Sequence, residues 1–271
     1  MPVDKLPFGH LTISKFILGS NPFSSFSHQS MQNDLAMRRF FTTARIKETL
    51  RQAEELGVST FIGRADHHII RVLFEYWEEG GGLQWIAQTC PELGTIERGV
   101  RNAINGGAKA CYVHGGVMDS LLANGGLDEV PPAIAMIKEA GLLAGVAGHN
   151  PAVFRWAEEY LDVDFYMCSY YNPIVREKSG EHIAGTEEQF LPEDREAMVM
   201  TIQGLSKPAI HYKVLAAGRN DPREALTYVA RHLRPQDAVC IGVFPKEKSE
   251  MLAEDIALLN EALQAVGYRD K

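Results

Sequence analysis

Of the nine histidines in this 271-residue chain, four fall at or just beyond the end of an apolar run of strand length: His68, His114, His149 and His211. The same run ends carry Asn21, Arg64, Asp66, Gln88, Asn150, Tyr170, Tyr171, Asn172 and Lys213. Imidazoles exchange protons near neutral pH, and one carboxylate and one lysine beside them suit removal of a proton next to a carbonyl. In that chemistry His114 is the general acid or base and Asp66 orients it. Lys213 is an electrostatic stabiliser or a Schiff-base amine, with His211 one layer below it on the same strand. Asn21, Arg64, Gln88, Asn150, Tyr170, Tyr171 and Asn172 supply the donors and acceptors that a hydroxyl-rich ligand needs. His68, His114 and His149 are equally ordinary ligands for Zn²⁺, Mn²⁺ or Fe²⁺, so a divalent metal is an open alternative, without an HExxH-type spacing to fix it. Plainer roles stay open as well: His211 as a hydrogen-bonded core residue, and Lys213 as an ion-pair partner of Asp66.

Such residues act together only if the strands that carry them share one end. Eight strand-length runs, at 15–20, 58–64, 84–89, 108–114, 143–148, 163–169, 208–214 and 238–243, alternate with helical patterns at 44–56, 69–79, 95–105, 131–140, 151–160, 192–203, 222–232 and 249–266. Pro131, Pro151, Pro192 and Pro222 open four of those helices, and Gly57, Gly80, Gly106 and Gly141 follow as helix stops. Eight βα units with no change of composition predict an α/β chain folded as a single (β/α)8 TIM barrel over residues 1–271, which places reactive groups at the carboxyl ends of its strands. Neither GxGxxG after a strand nor GxxxxGK[ST] supports a doubly wound open sheet. Residues 21–43, 115–130 and 172–191 read as long loops, the last a possible lid rich in Glu, Lys and Gly. The loops that follow strands seven and eight, with Arg219 and Lys246, form a candidate anion or cofactor site.

Composition narrows the partners. Hydrophobic residues make up 45% and charged residues 23%, and Asp and Glu exceed Lys and Arg by 35 to 27. No basic stripe offers the footprint of a nucleic-acid or anionic-membrane partner, and no apolar run is long enough for a signal core or a membrane span. The expected partner is a small-molecule substrate and the expected compartment the cytoplasm; nothing specifies an oligomeric interface. Cys90, Cys111, Cys168 and Cys240 form no CxxC pair or disulfide framework.

Several segments resemble the aldo-keto reductases. Leu18-Gly19-Ser20-Asn21-Pro22-Phe23 resembles that family's first-strand glycine segment, and Gly57-Val58-Ser59-Thr60-Phe61-Ile62-Gly63-Arg64-Ala65-Asp66 its stretch ending in the catalytic aspartate. Tyr112-Val113-His114 is similar to its strand-four histidine, and residues 238–257 to its last strand and cofactor-contacting helix. The resemblance implies the barrel, roles for Asp66 and His114, and NADP(H). It departs where the family has its proton-donating tyrosine, here His67-His68-Ile69-Ile70-Arg71, and where it has a strand-three lysine, here Gln88. The reading that follows is an isomerase or lyase, acid–base or metal-assisted, acting on a polyhydroxylated, sugar-like carbonyl compound. An NADP(H)-dependent oxidoreductase with an altered proton donor, and a non-catalytic ligand-binding barrel, are the alternatives.

Overall fold

The computed structural model describes residues 3–174, 180–181 and 188–268. A hairpin comes first, β1 (Lys5–Phe8) and β2 (Leu11–Ser14), antiparallel with Phe8 opposite Leu11. Its turn passes through Gly9 at φ +56°, a left-handed conformation that glycine adopts without a Cβ clash. Eight strands follow: β3 (Phe16–Gly19), β4 (Thr60–Arg64), β5 (Gln84–Gln88), β6 (Ala110–Val113), β7 (Leu143–Gly148), β8 (Phe165–Ser169), β9 (Ala209–Tyr212) and β10 (Ala238–Ile241). Each pairs in parallel with the next, and β10 returns to β3 through Val239–Phe16, Cys240–Ile17 and Ile241–Leu18, closing the barrel. All eight expected strands are therefore present, shortened at their ends where pairing stops.

Ten α-helices accompany them among the described residues: α1 (Met31–Phe40), α2 (Thr43–Glu55), α3 (His67–Glu78), α4 (Ile96–Asn105), α5 (Gly115–Asn124), α6 (Val130–Glu139), α7 (Pro151–Tyr160), α8 (Pro192–Gln203), α9 (Pro222–His232) and α10 (Met251–Ala265). The prolines stand in the first turns of α6, α7, α8 and α9, where their missing N–H would have had no partner anyway. Two helices correct the sequence reading. Residues 21–43 hold α1, capped by the Ser30 side chain, and residues 115–130 hold α5, which starts with no loop after β6. The proposed lid at 172–191 lies largely outside the described residues.

One end of the barrel is sealed. Leu6, Phe8 and Ile13 of the hairpin join Ile17, Ile62, Ile86, Phe165 and Ile210 in a buried cluster inside the barrel. Gly145 leaves room for one of these side chains, since a Cβ there would sit 2.6 Å from the Phe165 ring. A second, larger cluster packs the outer faces of the strands against the helices. With apolar residues filling the hairpin end, only the carboxyl ends of the strands can present a polar site.

Candidate functional site

At that open end lies a cavity of about 1160 Å³. Seven of the residues read from the sequence line it: Asn21, Arg64, Gln88, His114, His149, Lys213 and Lys246. They arrive from seven of the eight barrel strands or the segments just after them, β8 alone contributing none of the seven.

The best-ordered group is one the sequence reading did not assemble. His149 follows β7 and is 4% exposed; its Nδ1 lies 2.7 Å from Oδ2 of Asp119, a residue of α5 that is itself buried. The Asp119 carboxylate also accepts the backbone N–H groups of His149 and Asn150, each at 3.1 Å from Oδ1. An acceptor-only carboxylate against Nδ1 fixes the proton on that nitrogen and makes Nε2 the acceptor nitrogen of the neutral ring, the one that can act as a base. Nε2 points to the Tyr212 hydroxyl at 3.4 Å, and both side chains face the cavity. Gly115 makes the approach possible: a Cβ there would stand 3.0 Å from the Tyr212 oxygen and 3.2 Å from His149 Cε1.

A second cluster forms across the mouth. Lys213 Nζ donates to His28 Nε2 at 3.1 Å, Asn21 Nδ2 approaches the same nitrogen at 3.3 Å, and His28 Nδ1 meets Glu188 Oε1 at 2.7 Å. The Glu188 side chain is 2% exposed, so its Oε1 meets the His28 imidazole rather than bulk water. His28, which no local pattern marks for this place, arrives on the segment before α1. On the β4 side, buried Arg64 donates from Nε to Asp66 at 2.9 Å, pairs through Nη2 with Glu92, and stacks over Phe26. Gln88 accepts the Tyr112 hydroxyl at 3.0 Å.

Other expected residues go elsewhere. Asp66 does not line the cavity: it caps α3, accepting Ile69 N–H at 2.8 Å, and holds Arg64. His68 is exposed on α3, so the set His68, His114 and His149 does not converge, and among the described residues no three His, Cys, Asp or Glu side chains come together as an ion site. Asn150 caps α7 through Ala152 N–H. Tyr170 donates its hydroxyl towards His211 Nδ1 at 3.0 Å, Tyr171 accepts from Asn220, and Asn172 is exposed. Arg219 does not line the cavity but reaches the His28 carbonyl at 2.9 Å and covers the Phe190 ring.

His211 corrects the reading most sharply. It is fully buried on the outer face of β9, with Nε2 3.2 Å from Asp237 Oδ2. Burial pushes the Asp237 carboxyl up, but hydrogen bonds from His211 and Arg234 more than offset it and hold it below the ordinary carboxylate range. Simple alternation would put Lys213 on the same outer face. Instead, Tyr212 takes the inward position, and Lys213 leaves the strand at φ +56° and turns into the mouth.

Past Gly242 and Phe244 the cavity continues to the face of α10. This is the segment that resembles the family's cofactor-contacting helix, and its charge does not fit NADP(H). Five carboxylates line it (Asp221, Glu247, Glu254, Asp255 and Glu261) against Arg223, Lys246 and Lys248. Arg223 is already paired with Glu261 and Lys248 with Glu254, so of the three described cations on this wall Lys246 is the one without an ion pair to meet a phosphorylated dinucleotide.

No protein-family model and no curated protein matches the chain. Solved structures do. A protein from Pseudomonas aeruginosa assigned provisionally as an aldo-keto reductase is 18% identical, with 96% of each chain covered and a TM-score of 0.64. A phospho-2-dehydro-3-deoxyheptonate aldolase from Thermotoga maritima is 13% identical, with 98% of this chain and 74% of that one covered and a TM-score of 0.58. At such identities the likeness is one of fold, the parallel eight-stranded barrel.

Proposed function

We propose that the chain is an enzyme that moves a proton next to the carbonyl of a small polyhydroxylated compound, as an isomerase or a lyase. The observation that carries this is the line Asp119–His149–Tyr212 at the cavity wall. Asp119 fixes the tautomer, His149 Nε2 takes the proton from the carbon, and the Tyr212 hydroxyl lies where a proton can be returned to or taken from a substrate oxygen. Arg64 and Lys213 face the same cavity and offset the negative charge that an enolate or enediolate develops on oxygen. Asn21 and Gln88 supply the hydroxyl contacts. The barrel likeness to an aldolase and to a provisional reductase is compatible with a small-molecule enzyme. The test is loss of α-proton NMR signal from a panel of aldoses and ketoses in D₂O with wild type and His149→Ala. Exchange by the wild type and its loss in the variant are expected; equal exchange in both overturns the assignment.

A further inference from the structure

Asp255, on α10, is 5% exposed and lines the far end of the cavity. Among the described residues its carboxylate accepts no hydrogen bond, and Lys248, the cation whose charge acts on it, is engaged by Glu254. A buried carboxylate without donors is costly to keep, and a fold retains one where a ligand supplies the donors. Burial, with Glu254 beside it, pushes its carboxyl up to about 6 while Lys248 pulls the other way.

The surroundings define the ligand. Phe244, Met251 and Leu258 give the wall apolar faces between its charges. A polyanion would meet the carboxylates, and a polycation would meet Lys246 and find Glu261 and Glu254 already engaged by Arg223 and Lys248. A neutral unit with adjacent hydroxyls avoids both penalties, stacks its C–H face on the apolar side chains and donates two hydrogen bonds to one carboxylate. Size agrees: about 1160 Å³ exceeds the usual range for a drug-sized ligand, roughly 300–1,000 Å³, and a single hexose would leave most of it to water.

We propose that the α10 wall is a second recognition subsite in which Asp255 binds the hydroxyls of a second sugar unit, so that the substrate class is a disaccharide or glycoside rather than a lone monosaccharide. This rests on the reading of the cavity as the reaction site.

The test is binding of glucose, cellobiose, maltose, sucrose, spermidine and NADPH to the full chain, by saturation-transfer NMR and calorimetry, with wild type, Asp255→Asn and Asp255→Ala. At least one disaccharide should bind about tenfold or more tightly than glucose. Asp255→Ala should reduce that disaccharide to the level of glucose without changing glucose itself, and Asp255→Asn should keep part of the preference. Melting temperature supplies the control, because removing a buried charge that lacks donors raises it, whereas a lower value in both variants would make Asp255 structural and overturn the subsite. Disaccharides no tighter than glucose, a preference that survives Asp255→Ala, or tighter binding of spermidine or NADPH would also overturn it. Loss of preference in Asp255→Ala together with proton exchange that ignores His149→Ala would sink the reaction assignment and leave the subsite standing.

Discussion

The Asp255→Asn substitution tests the physics of the α10 wall without any knowledge of the substrate. In the folded protein burial carries the Asp255 carboxyl from 3.8 to about 6, so between those values the native state holds a proton that the unfolded chain has released. The native advantage is fully present below the unfolded pKa, is lost as pH rises through about 6, and stays lost above it. At 1.36 kcal/mol per pH unit, a shift of this size makes the wild type about 3 kcal/mol less stable at pH 8 than it would be with an unshifted group. Asparagine keeps the shape and removes the charge. Urea unfolding of both proteins from pH 4.5 to 8 should show the variant gaining on the wild type as pH rises through 6, to about 2–3 kcal/mol at the top, or about 5 °C in melting temperature. Parallel curves, or a variant less stable at pH 8, would refute the idea of an unsatisfied buried carboxylate.

Three further outcomes follow from the same geometry. Asp119→Asn should lower α-proton exchange by roughly 10²–10⁴, because the amide no longer fixes the Nδ1 proton of His149, and paired kinetics and thermal melts will show a stability loss beside it. Gly115→Ala puts a methyl 3.0 Å from the Tyr212 oxygen, so exchange should fall about tenfold or more while the melting temperature barely changes, which separates geometry from folding. His211→Ala should do the reverse: it orphans the Tyr170 hydroxyl and removes one hydrogen bond from Asp237 Oδ2, which Arg234 still holds, lowering stability by about 1–3 kcal/mol and leaving exchange intact in the folded protein.

The barrel was legible because most βα units carry their own punctuation, an apolar run, a proline-led or capped helix and a stopping glycine, although α7 and α9 end at Leu161 and Leu233 instead. The site was legible only in part, and the failures have causes. Asp119 was missed because Gly115-Gly116 reads as loop, whereas β6 runs straight into α5, whose contact with β7 buries the carboxylate. A single acid within the apolar stretch 117–122 was the available signal. His211 was placed on the wrong face because period two was extended past the end of β9, where pairing had ended at Tyr212. His28 had no local signal at all, since a segment without a period carries no face.

The departures from regular backbone explain why the mouth escaped a periodic reading. Ser25, His28, Lys213, Ala216 and Ala217 are the described residues other than glycine with positive φ, from 48° to 64°, and all belong to the two segments that follow β3 and β9. Each such residue costs about 1 kcal/mol or more relative to the ordinary regions, and no helix or strand ladder needs them. Two of the five, His28 and Lys213, hydrogen-bond each other, and Arg219 and Gln29 tie the two segments together through the His28 and Ala217 carbonyls. The strain is therefore spent on bringing an imidazole and an ammonium to one point above the barrel axis. Had Lys213 kept strand geometry, it would lie beside His211 against the helices, and the cavity would lose its one cation from β9. A packed scaffold tolerates that conformation where the side chain it aims serves a ligand, which ties the backbone of this mouth to the chemistry assigned to it.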